Sequence, residues 1–193
     1  MKQLIMIAFV AVTFTACQQK AQTNSEESTT TENQATTEAP PQTTGEAKSV
    51  STIKPILDGY LKMKNAFAQD NDKDAAAAGD EMVIAFTNFD KSSLSADQAK
   101  VYKDIEDDAR EHAEHIGKNA GNIKHQREHF EMLSKDMYQL VKTFGAGKTV
   151  YYDNCPMYND GKGGNWLSES KEISNPYMGK KMATCGSVKE ELK

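Results

Sequence analysis

Two cysteines and two methionines stand in close sequence near the end of this chain, in Cys155-Pro156-Met157 and Met182-Ala183-Thr184-Cys185. Together they offer two thiolates and two thioethers, a soft ligand set that suits Cu(I) or Ag(I), whereas Mg or Ca would want oxygen. Zinc takes thiolate but not thioether in its usual sites, so the methionines tilt the choice toward copper or silver. Pro156 stiffens the link between Cys155 and Met157, and Gly186 permits a tight fold beside Cys185. A disulfide fits the same cysteines. In an oxidising compartment an even pair forms a bridge, and closing a loop of about 30 residues stabilises a fold by roughly 3–4 kcal/mol in the chain-entropy model. Spacing leaves both readings open. The pair lacks the Cys-x-x-Cys spacing that would argue for a redox-catalytic thiol.

All four histidines fall within a short stretch: His112 and His115 are three apart, His125 and His129 four apart, with Met132 on the same stripe. On helices, such i, i+3 and i, i+4 pairs put both imidazoles on one face, where they can chelate an ion. A turn at Gly121 would bring the two pairs to one end of a helical hairpin and make a second metal site. The alternative is that His112, on an apolar stripe, is a hydrogen-bonded core ring and the others are solvated. Other chemistry is weaker. Gly161, Gly163 and Gly164 precede no helix that would complete a phosphate cradle. Asp104, Glu106, Asp107 and Asp108 fit a solvated helix face, and Ser134 and Ser168 lack the His–Asp company of a nucleophile. No catalytic residue is indicated, and the chain is expected not to be an enzyme.

The elements that must position these residues are mostly helical. Ser51 or Thr52 caps a first helix with Pro55 in its first turn and Ile53, Ile56, Leu57, Tyr60, Leu61 and Phe67 on its apolar face. A second helix begins at Asp72 and carries Ala75, Ala76, Gly79, Met82, Val83, Phe86 and Phe89; its small residues predict a close helix–helix approach. Ser95, three residues before Gln98, has capping-box spacing. The third helix then presents Tyr102, Ile105, Ala109, His112 and Ile116. After Asn119-Ala120-Gly121, Asn122 caps a fourth helix with Ile123, Phe130, Leu133, Met137, Leu140 and Phe144, ended by Gly145 and Gly147. Short connections between four helices predict an all-α, antiparallel four-helix bundle. Thr149 to Tyr152 is β-prone and forms a short strand. From Asn154 to Gly186 the chain is rich in Gly, Asn and Pro, and an irregular segment holding the Cys/Met cluster is expected. An irregular stretch of this length is usually functional or pinned.

The N-terminal third has another character. Lys2 and the apolar run Leu4 to Phe14, about 11 residues, have the form of a secretory signal, too short for a membrane span. The run ends in Thr15-Ala16-Cys17, which resembles a lipobox, so residues 1–16 are expected to be a signal peptide and Cys17 a lipidated N-terminus. Residues 17–50 hold almost no large apolar side chain and predict a disordered tether, leaving 51–193 as the folded domain. The net charge of −5 is mild. With no basic patch interleaved with aromatics, nucleic acid is excluded as an expected partner.

Tyr152, Cys155-Pro156-Met157, Trp166-Leu167-Ser168, Ile173, Asn175-Pro176-Tyr177, Gly179, Met182 and Cys185-Gly186 resemble the C-terminal signature of an uncharacterised bacterial domain family. Gln126-Arg127, Phe130 and Leu133-Ser134 are similar to the same family's last helix. That family occurs in exported lipoproteins and as an appendage on membrane-fusion subunits of copper and silver efflux systems. Cys-Pro-Met also resembles the core of a small heavy-metal-binding motif in related efflux proteins. The resemblance implies a lipid-anchored protein of the cell envelope, facing periplasm or cell surface, that handles Cu(I) or Ag(I) for buffering or hand-over to an efflux partner. Cys155, Met157, Met182 and Cys185 are its implied ligands. A disulfide-stapled interaction module without metal is the alternative.

Overall fold

The structure is a computed structural model and describes residues 46–193, with side chains from Ile53 onward. The expected signal peptide, Cys17 and the greater part of the expected tether lie outside the described residues. Four helices come first: α1 (Glu46–Ala68), α2 (Asp72–Thr87), α3 (Ala96–Lys118) and α4 (Ile123–Phe144). Three strands follow, β1 (Val150–Cys155), β2 (Gly164–Ser168) and β3 (Ser187–Leu192). None of the described helices is long and apolar enough to cross a membrane.

Caps mark the helix starts, at α3 and α4 where the sequence predicts them and also at α2, where it names none. Asn71 accepts the Asp74 amide at 3.1 Å ahead of α2. Ser95 and Gln98 bond reciprocally in a capping box at α3, and the Asn122 side chain accepts the His125 amide at 3.3 Å at α4. Helix α1 differs: it begins at Glu46, ahead of the expected cap at Ser51 or Thr52, so Pro55 lies inside it. Glu46, Ala47 and Lys48 are strong helix formers, and their propensity carries the helix back past the capping residues. The helices pack in chain order, α1 on α2, α2 on α3, α3 on α4, and α4 back on α1. Ile56, Tyr60, Phe67, Met82, Phe86, Tyr102, Phe130 and Met137 fill the space between them, all essentially without exposure.

The all-α expectation is corrected at the C-terminus. From Val150 onward the chain holds three strands where one was expected, joined in an antiparallel sheet of order β2-β1-β3. β1 pairs with β2 from Tyr151↔Ser168 to Cys155↔Gly164, and with β3 from Val150↔Leu192 to Asn154↔Ser187, with an irregularity at Tyr152/Asp153. β2 is hard to see in sequence because it is only five residues long and both its faces are covered. Its core is Trp166-Leu167, packed toward α1 and α4. β3 does alternate, with Val188, Glu190 and Leu192 turned inward, yet its middle inward residue is charged. The Glu190 carboxylate accepts Tyr138 Oη at 2.6 Å and Lys142 Nζ at 2.7 Å from α4, so a polar anchor stands where an apolar one would have signalled a strand.

Candidate metal centre

Helices α3 and α4 are joined by the turn at Asn119–Asn122, and that hairpin brings the histidine pairs together. Gln126, fully buried, fixes it: its Nε2 donates to the Ile116 carbonyl at 2.9 Å and to the Asp72 carbonyl at 3.0 Å. Arg127 fixes the opposite flank, donating to the carbonyls of Phe67 and Pro176 and to Asp70, each at 2.7 Å. The backbone of α4 is therefore held on two sides, and its histidines project from a braced surface onto α3.

One ring nitrogen from each of His115, His125 and His129 lies within 4.8 Å of the others. His115 stacks on His129 with ring centroids 4.3 Å apart, and His125 meets His129 at 4.7 Å. His112 joins from the buried side, its Nδ1 3.2 Å from Nδ1 of His129. Three nitrogens around zinc or copper at 2.0–2.1 Å would stand about 3.3 Å apart, so closure on an ion needs about 1–1.5 Å of side-chain movement. Two carboxylates flank the cluster. Glu111 Oε1 lies 3.7 Å from His115 Nε2, and Glu128 Oε2 lies 3.5 Å from His125 Nδ1. Sequence reasoning passed over both, although their i, i+4 and i, i+3 offsets from the histidines were the available signal.

Electrostatics keep the inner rings in the ligating form. Burial, then the neighbouring imidazoles of His115, His112 and His125, pushes His129 down to about 4. Burial likewise lowers His112, against the opposing pull of Asp108 and Glu111. Both rings are neutral at pH 7, and neutral imidazole is what binds a metal.

The sulfur residues separate into two places. Cys155 Sγ and Cys185 Sγ lie 3.1 Å apart as free thiols, one buried at the end of β1 and the other half-buried ahead of β3. Cys155 beside it, then burial, raises the Cys185 thiol above its usual value. Asn175 holds this corner, donating from Nδ2 to the Cys185 carbonyl at 2.5 Å and accepting the amides of Tyr177 and Met178. The Met182 carbonyl accepts the Cys185 amide at 3.0 Å, so Met182 is one tight turn away and half-buried. Met157 is 56% exposed and lines, with Met178, Tyr177 and Arg127, a groove that neither cysteine lines. The structure thus brings the two thiols together and the four imidazoles together, while Met157 opens onto another surface.

These features define a mostly helical domain with an interhelical histidine cluster and a small C-terminal sheet holding a cysteine pair. Residues 56–149 match a family described as "Protein of unknown function (DUF3347)", and those residues carry an uncharacterised domain. The match spans somewhat less than half the chain; it contains all four histidines and stops short of both cysteines. No curated protein and no solved structure gave a significant match.

Proposed function

We propose that this chain is a lipid-anchored, metal-binding protein of the cell envelope that holds a transition-metal ion for buffering or hand-over to a heavy-metal efflux membrane-fusion protein. The observation that carries the metal reading is the convergence of four imidazoles on the α3–α4 seam. Imidazole suits copper, zinc and nickel, and the two inner rings are kept neutral. The anchored, exported part of the reading is supported by Lys2, the apolar run to Phe14 and Ala16-Cys17 in the sequence. The four helices fit an antiparallel bundle, supported by the cyclic packing of α1 to α4. Its role is one of binding; the proposal includes no enzymatic step.

The test is a titration of the purified chain with Cu(II) and Zn(II) against a competing chelator. One ion per chain should bind, and the His125→Ala/His129→Ala double variant should lose at least a hundredfold in affinity. Equal affinity of variant and wild type would end the reading.

A second reading is favoured by the thiol pair. The 3.1 Å between the Cys155 and Cys185 sulfurs supports two uses, holding Cu(I) or Ag(I) with Met182 or closing into a staple. Counting free thiols in protein isolated from the periplasm, then titrating the reduced chain with Cu(I), separates the two. A site needing Met157 or Met182 weakens on Met→Leu exchange, whereas a staple ignores it.

A further inference from the structure

The geometry points to a specific ligand assignment at the histidine cluster: His115 Nδ1, His125 Nε2 and His129 Nε2 bind the ion, Glu111, Glu128 and His112 fix those three rings from behind, and a fourth position stays open to one exchangeable small ligand. This rests on the reading that the cluster binds metal, and deepens it.

The assignment follows from which nitrogen of each ring lies nearest a group that could accept its proton. A metal-bound imidazole almost always gives its other N–H to a carboxylate, carbonyl or comparable acceptor, which sets tautomer and ring orientation. Each of the three converging rings has one nitrogen turned to such a partner. His115 Nε2 faces Glu111 at 3.7 Å, His125 Nδ1 faces Glu128 at 3.5 Å, and His129 Nδ1 faces His112 Nδ1 at 3.2 Å. The nitrogens left over are His115 Nδ1, His125 Nε2 and His129 Nε2. His112 stands outside the triangle that the other three rings form among the described residues. With His129 bound through Nε2, its Nδ1–H donates to His112 Nδ1, and His112 becomes a positioning residue.

Charge and access agree with this. Three neutral imidazoles leave a divalent ion with its full charge, and the carboxylates of Glu111 and Glu128 offset it at second-sphere distance. His115 and His125 side chains are 45% and 36% exposed, so the ion faces solvent on the side away from His129. Three protein ligands with an accessible fourth position is the pattern of exchangeable rather than closed zinc-type sites. The chemical class admitted there is water, a small anion such as azide, or a single donor atom of a receiving protein.

The experiment uses the whole chain loaded with Cu(II) or Co(II). Pulsed EPR on the Cu(II) form should count three imidazoles, and the visible spectrum of the Co(II) form should shift on adding azide. His112→Gln should keep three imidazoles while binding about 10–100-fold more weakly, and Glu128→Gln should behave alike. His129→Gln and His115→Gln should lose the site, with helix content by circular dichroism unchanged. Four imidazoles in the wild type, loss of binding in His112→Gln equal to that in His129→Gln, or indifference to azide would each overturn the assignment and leave metal binding intact. A wild-type chain that takes up no ion would overturn the metal reading itself and this assignment with it.

Discussion

At the scale of single residues, a hydroxyl on α1 does the work of joining three elements. Tyr60 is fully buried, and its Oη accepts the Leu167 amide of β2 at 3.1 Å. Ser134 Oγ on α4 donates to the Phe130 carbonyl at 2.7 Å, so the 2.7 Å contact between Tyr60 and Ser134 has Tyr60 as donor. The ring meanwhile stacks on Phe130 with centroids 5.1 Å apart. Removing the hydroxyl leaves the Leu167 N–H without its acceptor in a dry environment. Tyr60→Phe is therefore expected to cost about 1–3 kcal/mol. The check is urea unfolding: the midpoint should fall with the slope unchanged. The Leu133-Ser134 of the family-like stretch thus has a structural use, as does Gln126-Arg127, whose side chains brace α4 rather than the ion.

At the scale of elements, a close helix contact lies between α2 and α3, where small residues predicted an approach. A Cβ placed on Gly79 would stand 2.6 Å from the Ala113 carbonyl oxygen and 2.9 Å from the Gly117 amide, both backbone atoms that cannot yield. Gly79→Ala in an open helix would gain about 1 kcal/mol; here the helices must part, and overpacking costs about 1–3 kcal/mol. Net destabilisation is the expected outcome, read by thermal melting, and a stabilised variant would show that α2 and α3 are further apart. Helices, caps and this contact were legible because each has a local signature of period, capping side chain or residue size. The histidine hairpin was legible for the same reason: i, i+3 and i, i+4 offsets on either side of Gly121. The sheet was not. Its hairpin runs through Asn159, Asp160, Gly161 and Gly163, all at positive φ, so the turn spreads over several left-handed residues instead of a short Asn-Gly signal. Its other edge is held by Glu190, whose inward position makes sense only once Tyr138 and Lys142 of α4 are seen beneath it.

At the scale of the whole molecule, buried titratable groups of opposite tendency set how stability depends on pH. His129, held at about 4, and the similarly lowered His112 bind fewer protons folded than unfolded between their folded values and the ordinary histidine value near 6.5. Their contribution is whole above about 6.5 and drains away as pH falls. Asp70, lowered by its hydrogen bond to Arg127, adds an acid loss further down. Asp136 on α4 acts the other way. Burial, then the nearby Asp108 carboxylate, raises it to about 6, so the folded chain holds a proton that the unfolded chain releases near 3.8. Its stabilising contribution is whole below about 4 and is lost as pH rises through 6, so at neutral pH an ionised Asp136 strains the α3–α4 seam about two turns beyond His129. A two-unit shift corresponds to about 2.7 kcal/mol, which solvent screening of this half-buried side chain reduces to about 1 kcal/mol. Asp136→Asn should leave the unfolding free energy near its wild-type value at pH 4 and raise it by about 1 kcal/mol at pH 8, with chelator present so that bound metal does not enter. In the same series His129→Gln should flatten the loss of stability between pH 6.5 and 4 that the wild type retains. An Asp136→Asn gain of equal size at both ends of the range would mean that the carboxyl is already ionised at pH 4, and that charge on this seam is set by solvent rather than by the packing of α3 on α4.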